Sequence, residues 1–299
     1  MQSLRTAPPK ALHHFTSAEG LVGIISERIL RLTRAVCSND ALELRHMVEN
    51  ARISADVLRE AVGHSGSLSE GARSLLAKFC ERLNDDRAGW QGDMSLRHAV
   101  VSDIFLPDPY VACFCVDANP GVVHWGHYGR AGEGFALEID SGLLSEVWRN
   151  RFVRVCYDVG VHLRTVSDIV LGCIQNENSI LEPRTEGFFM RDRASGIADR
   201  MEAVIRAVSV GMKAAVFEPE NEWRVTLLRE VDGELPIKLR SNGPELISHV
   251  EMPLPLEAIR KIIVGTKRDL RRTAGSLASY LHSQGMGHVE IEESRIPFR

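Results

Sequence analysis

No apolar run in this sequence approaches the ~20 residues that a membrane-spanning helix needs. The opening residues, MQSLRTAPPKALHHF, contain no hydrophobic core of the secretory type. No membrane partner is expected, and the expected location is cytoplasmic. Lysine is scarce: only six of the 36 basic residues are Lys and the rest are Arg. Arg suits planar, bidentate contacts with carboxylate or phosphate, although genome composition produces the same skew. A net charge of −4 argues against a general nucleic-acid binder, a class that carries a basic domain. The sequence lacks a GxGxxG dinucleotide fingerprint, a Walker loop and a Gly-x-Ser-x-Gly elbow. It also lacks internal repeats and low-complexity tracts. The six Cys are scattered in apolar contexts such as VACFCV and VRVCYD, the setting of buried thiols rather than of a disulfide framework.

The 299 residues are ample for one core, and they are expected to form a single α+β domain over 1–299. Residues 11–16 (ALHHFT) suit a first strand. Thr16 or Ser17 can cap a helix over 18–28, in which Leu21, Ile24 and Ile25 recur at helical spacing. A second strand is expected at 29–33. Ser38, Asn39 and Asp40 can start a further helix, and residues 40–102 read as a helical insertion. The apolar run at 110–116 predicts a strand buried on both faces. A short helix follows at 122–128, then a glycine loop. Strands are expected at 135–139, 152–157, 222–228, 246–252 and 259–264. A second helical segment spans 160–214, with helices near 162–180 and 193–214. A last helix at 270–284 is stopped by Gly285. Strands and helices do not alternate as βαβ units, which favours α+β over a doubly wound sheet.

Four constellations can carry chemistry. Cys113 and Cys115 share one face of a strand, and His124 and His127 lie three apart on a helix. Together they give four ligands of the kind tetrahedral zinc takes, but not at a common finger spacing. The other reading is two buried thiols and two ordinary histidines. On a strand, Glu220, Glu222 and Arg224 share a face opposite Trp223. With Trp223 in the core, the carboxylates face a cleft or solvent, where their repulsion raises one pKa and Arg224 opposes the rise. The plainer reading is a solvated Arg–Glu pair. Of His13 and His14, alternation sends one inward and one outward. In HWGHYGRAGEG, aromatic residues adjoin glycines that allow a ligand to approach the backbone. The basic stretch Lys267, Arg268, Arg271 and Arg272 reads as the solvated start of the last helix, with phosphate binding as the alternative.

Taken together, these motifs resemble a bacterial family known as domain of unknown function 2971, over most of the chain outside the helical insertions. The opening pattern of that family, Tyr-His-Tyr-Thr-Ser and then Asn-Asp, is matched by His13 to Ser17 and by Asn39-Asp40. Its middle pattern is matched by Cys113-Phe114-Cys115, by Trp125 to Tyr128 and by Gly134-Phe135-Ala136. Its late Glu-x-Glu-Trp-Arg is matched by Glu220 to Arg224, and a Val-Gly strand end by Val264-Gly265. The sequence departs from it at His13, at Phe15 and at Cys115, where the family has Ser. The zinc reading loses ground under this alignment, and no metal is expected. The family is similar in turn to the ADP-ribosyltransferase fold, a split mixed β-sheet core that clamps NAD.

The resemblance implies an NAD-consuming ADP-ribosyltransferase or NAD glycohydrolase acting on an unknown acceptor: protein, nucleic acid, small molecule or water. By fold analogy it also implies a toxin or defence factor. NAD would be the substrate. Glu222 would bond the ribose 2′-hydroxyl and stabilise the positive charge that builds on the sugar. Glu220 would orient or deprotonate the acceptor. His14 would hold a ribose hydroxyl, with Thr16 in the same binding set. Tyr128, with Trp125 or Phe114, would stack on nicotinamide, and Arg224 would hold Glu222 or meet pyrophosphate. The alternative is a non-catalytic ligand-sensing or protein-interaction module on the same fold, expected if Arg224 locks Glu222 in a closed cleft. A metal-dependent hydrolase using the Cys/His set is a third reading.

Overall fold

The computed structural model describes residues 7–35, 77, 109–117, 122–178, 204–205, 207–228, 235–242 and 245–296. The insertion expected at 40–102 lies outside these, Ala77 apart, as does 179–203, which holds much of the second helical segment expected at 160–214.

The chain begins β1 (Ala11–Thr16), α1 (Ala18–Glu27), β2 (Ile29–Arg34). The Ser17 hydroxyl caps α1 by accepting from the Gly20 N–H at 3.1 Å, which satisfies one of the free donors at a helix start. Leu21, Ile24 and Ile25 face inward, and Arg28 ends the helix in the left-handed region at φ 56°. There follow β3 (Pro109–Cys115), α2 (Val122–His127), β4 (Phe135–Asp140), the short α3 (Glu146–Arg149), β5 (Phe152–Arg154) and α4 (Val159–Asn178). The rest is β6 (Glu222–Leu228), β7 (Lys238–Asn242), β8 (Glu245–Pro253), β9 (Ile259–Val264), α5 (Leu270–Ser283) and β10 (Glu290–Glu293).

Among the described residues, all strand pairs are antiparallel except β9 with β10, so the fold is α+β with a mixed, mostly antiparallel sheet. The strand order is β10-β9-β4-β1-β3-β2-β8-β7, with β6 pairing both β3 and β5. One edge of β3 is fully taken by β6, from Pro109↔Leu228 to Cys115↔Glu222. The other edge is shared: β2 pairs at Val111 and Tyr110, and β1 touches only at His13↔Cys115. β1 and β2 therefore part along β3, and the sheet divides into two limbs. Both strands run against β3, so β1–α1–β2 is a crossover between parallel strands, a unit that the lack of βαβ alternation did not lead us to expect.

One sheet face carries the main core, where α1 and α5 contribute Leu21, Ile25, Leu277 and Leu281 against Phe114, Leu137 and Val225. On the other face, Trp125 of α2 packs with Ala136 and Ile263. The strand expected at 152–157 is shorter than expected, because the chain leaves β6 after Arg154 and Cys156 makes only an isolated bridge to Met212. Edge strands β7 and β10 were not anticipated. Sequences such as EIEE lack the apolar alternation that marks a half-buried strand.

Candidate functional site

Period-2 alternation and the β3–β6 register define the site. Phe114 pairs with Trp223, and both point into the main core; Cys113 pairs with Arg224 and Cys115 with Glu222, and these point to the opposite face. Before β6 the chain forms a 3₁₀ turn, Ala215–Glu220, that ends at Asn221 in the left-handed region (φ 42°). Asn tolerates that conformation better than most residues do. Glu220 is thus not on the strand, as the spacing led us to expect, and its carboxylate reaches the site from the turn. Lys213 enters from before the turn, its N–H donating to the Cys156 carbonyl at 3.0 Å.

These residues form one buried network. Arg224 grips Glu222 with both arms of its fork, Nε to Oε1 at 2.8 Å and Nη2 to Oε2 at 2.9 Å, and its Nη1 donates to the Val210 carbonyl at 3.0 Å. Lys213 Nζ lies 2.7 Å from Glu220 Oε2 and 3.4 Å from Glu222 Oε2. The Tyr128 hydroxyl donates to the Glu220 carboxylate at 3.3 Å. The Glu222 N–H donates to the Tyr157 hydroxyl at 2.9 Å. Lys213 is 1% exposed and Glu222 4%. The carboxylates face neither solvent nor an open cleft, which corrects the expected solvated face. Two cations balance two carboxylates, which is how buried charge is tolerated.

Burial alone would raise the Glu222 pKa. The Arg224 charge and its hydrogen bonds, then Lys213 and the Cys113 thiol, outweigh burial and bring the carboxyl down to about 2. Like-charge repulsion therefore does not leave Glu222 titrating high. Burial pushes Tyr128 and Tyr157 upward, so both remain phenols at neutral pH. It also pushes the Cys115 thiol up to about 12, and that thiol donates to the Asp117 carbonyl at 3.0 Å.

The structure brings Tyr128, Glu220, Glu222 and Arg224 together. It does not bring His14 into their network. In the β1–β4 ladder His14 pairs with Leu137, on the main-core face, and its ring lies 5.5 Å from that of Phe114. Its Nδ1–H donates to the Cys113 carbonyl at 2.9 Å. That carbonyl lies between the stretches of β3 that pair with β1 and with β2, and the imidazole caps it there. Burial lowers the His14 pKa, partly offset by the bond to the Cys113 carbonyl, which favours the protonated ring. Replacing His14 with Phe is expected to lower unfolding free energy by about 0.5–1.5 kcal/mol, the net contribution of one hydrogen bond. Urea denaturation checks this; an unchanged midpoint overturns the capping role.

Phe114 and Trp125 are enclosed by protein. Phe114 meets Phe152 at 5.5 Å, and Trp125 meets Phe15 edge-on at 5.0 Å. Thr16 is half-buried at the end of β1. The glycine loop serves the chain's own backbone: a Cβ on Gly134 would lie 2.7 Å from the Thr16 carbonyl oxygen, and one on Gly265 2.2 Å from that of Gly132. His124 Nε2 donates to the Glu220 carbonyl at 2.9 Å. Among the described residues, no three His, Cys, Asp or Glu side chains group as metal ligands.

Sequence reasoning missed Lys213 and Tyr157. A signal existed for the first: Lys213 is one of only six lysines, set in the apolar run VSVGMKAAVF. Nothing in the sequence marked Tyr157. No family model, curated protein or solved structure matches this chain.

Proposed function

We propose that this chain is a non-catalytic ligand-sensing or protein-interaction module on an ADP-ribosyltransferase-like core. The parting of β1 and β2 along β3 supports the core type, which the motif resemblance implies. The observation that carries the non-catalytic reading is the saturation of Glu222. A carboxylate offers about four acceptor sites. Arg224 Nε and Nη2, Lys213 Nζ and the Cys113 thiol already supply four donors. A ribose 2′-hydroxyl would have to displace one of them inside a closed, charge-balanced site.

NAD cleavage is the second reading, and one observation favours it: Glu222 stays ionised above a pKa of about 2, in the company of Tyr128 and Glu220. Stabilising the sugar cation calls for a fixed negative charge of this kind. In that reading Arg224 must swing off Glu222 before NAD engages.

Incubating the wild type and Glu222→Gln with NAD and following nicotinamide release separates the two. The module reading expects the same background release from both. Release by the wild type that the variant loses establishes the second reading instead. A rise in melting temperature with NAD but without cleavage makes NAD a sensed ligand.

A further inference from the structure

A cavity of about 650 Å³ opens between α1 and α5. It lies on the main-core side of the sheet, away from the carboxylate network, and its size is that of a small-molecule site. Leu21, Phe135 and Leu277 line it with apolar surface, and Tyr280 adds a half-buried aromatic ring. Its cationic wall comes from Lys267, Arg268 and Arg272.

Arg268 is the telling residue. Its guanidinium lies 4.8 Å over the Phe135 ring, and its Nε–H donates to the Glu133 carbonyl. Stacking and that bond fix the plane of the group. The Nη donors have no carboxylate partner among the described residues. A planar cation that is anchored at Nε and open at its fork matches the geometry of a phosphate or carboxylate. Two acids also border the cavity, Glu133 and Asp269. Asp269 is occupied as the cap of α5, accepting from the Arg272 N–H at 3.1 Å. The helix end is thereby closed, and the receptor is the Arg268 fork.

We infer that this groove binds a nucleoside phosphate, with the phosphate on Arg268 and Arg272 and the flat base against Tyr280 and the apolar wall. The inference is independent of the reading of Glu222.

The test is calorimetric titration of the full chain at low salt with AMP and ADP, with adenosine and inorganic phosphate as controls. Saturable binding of a nucleotide is expected, tighter than either control. Arg268→Gln is expected to weaken it about tenfold to a hundredfold, the range for one charge-assisted contact. Arg272→Gln, at an exposed position that the fold does not need, should weaken it less, and added salt should weaken it further. Absence of nucleotide binding, or affinity unchanged in both variants, overturns the proposal. Binding of phosphate as tight as that of AMP removes the base from it. Nicotinamide release reports on the other site, so either proposal can fail alone.

Discussion

Replacing Lys213 with methionine is expected to cost the fold about 3–5 kcal/mol, the usual penalty for removing one partner of a buried ion pair. Methionine keeps the apolar stem, so lost packing contributes little. What is lost is the 2.7 Å contact with Glu220 and the 3.4 Å contact with Glu222, together with the ammonium over the Phe217 ring at 4.6 Å. Glu220 would keep only the Tyr128 hydroxyl, and a buried carboxylate that has lost its cation is destabilising. The double variant Lys213→Met/Glu220→Gln removes the orphan charge along with its partner. It should recover a large part of the loss, because a neutral pair of similar shape replaces an uncompensated ion. Chemical denaturation of the two variants measures both effects. A loss below about 1 kcal/mol would mean that water reaches the pair as at a surface site.

Glu222 should set the acid limit of stability. Its carboxyl ionises near 4.5 when unperturbed and near 2 in the folded chain. The folded state therefore binds this proton more weakly than the unfolded state does. The resulting stabilisation is complete above about pH 4.5 and drains away as the pH falls toward 2. Its size is roughly 3 kcal/mol, at 1.36 kcal/mol per pKa unit. Glu222→Gln lacks that titration. The variant should be clearly less stable than wild type near neutrality, where Arg224 faces a neutral amide, and the gap should close as the pH drops through this window. Unfolding midpoints across the acid range test it. A gap of constant size would show that the Arg224 contact does not depend on the Glu222 charge.

The two experiments address the network from its two ends, and neither depends on what the protein binds. They matter for function because a network this costly to disturb is a poor candidate for a part that opens during turnover. If both variants prove mild, Arg224 can leave Glu222 easily, and the catalytic reading gains.

Local elements were legible where local physics decides them. Ser17 before an apolar 3-4 repeat specifies the start of α1, because a short hydroxyl side chain satisfies free N–H groups there. The run at Glu222–Leu228 specifies a strand with Trp223 inward, and period 2 then places Glu222 and Arg224 together on the other face. Gly285, at φ 74°, ends the last helix as expected. Glu220 was misplaced because the 3₁₀ turn and the left-handed Asn221 break that periodicity one residue before the strand. β10 was missed because an edge strand that pairs on one side needs no buried face.

The sequence by itself determined the α+β class, most strand and helix positions among the described residues, and the adjacency of Glu222 to Arg224, since each depends on residues close along the chain. Only the tertiary structure decided that β1 and β2 part along β3, that His14 caps the Cys113 carbonyl, and that Lys213 closes over both carboxylates. Those outcomes depend on contacts between distant segments, where burial fixes the state of each charge, and no local spacing encodes them.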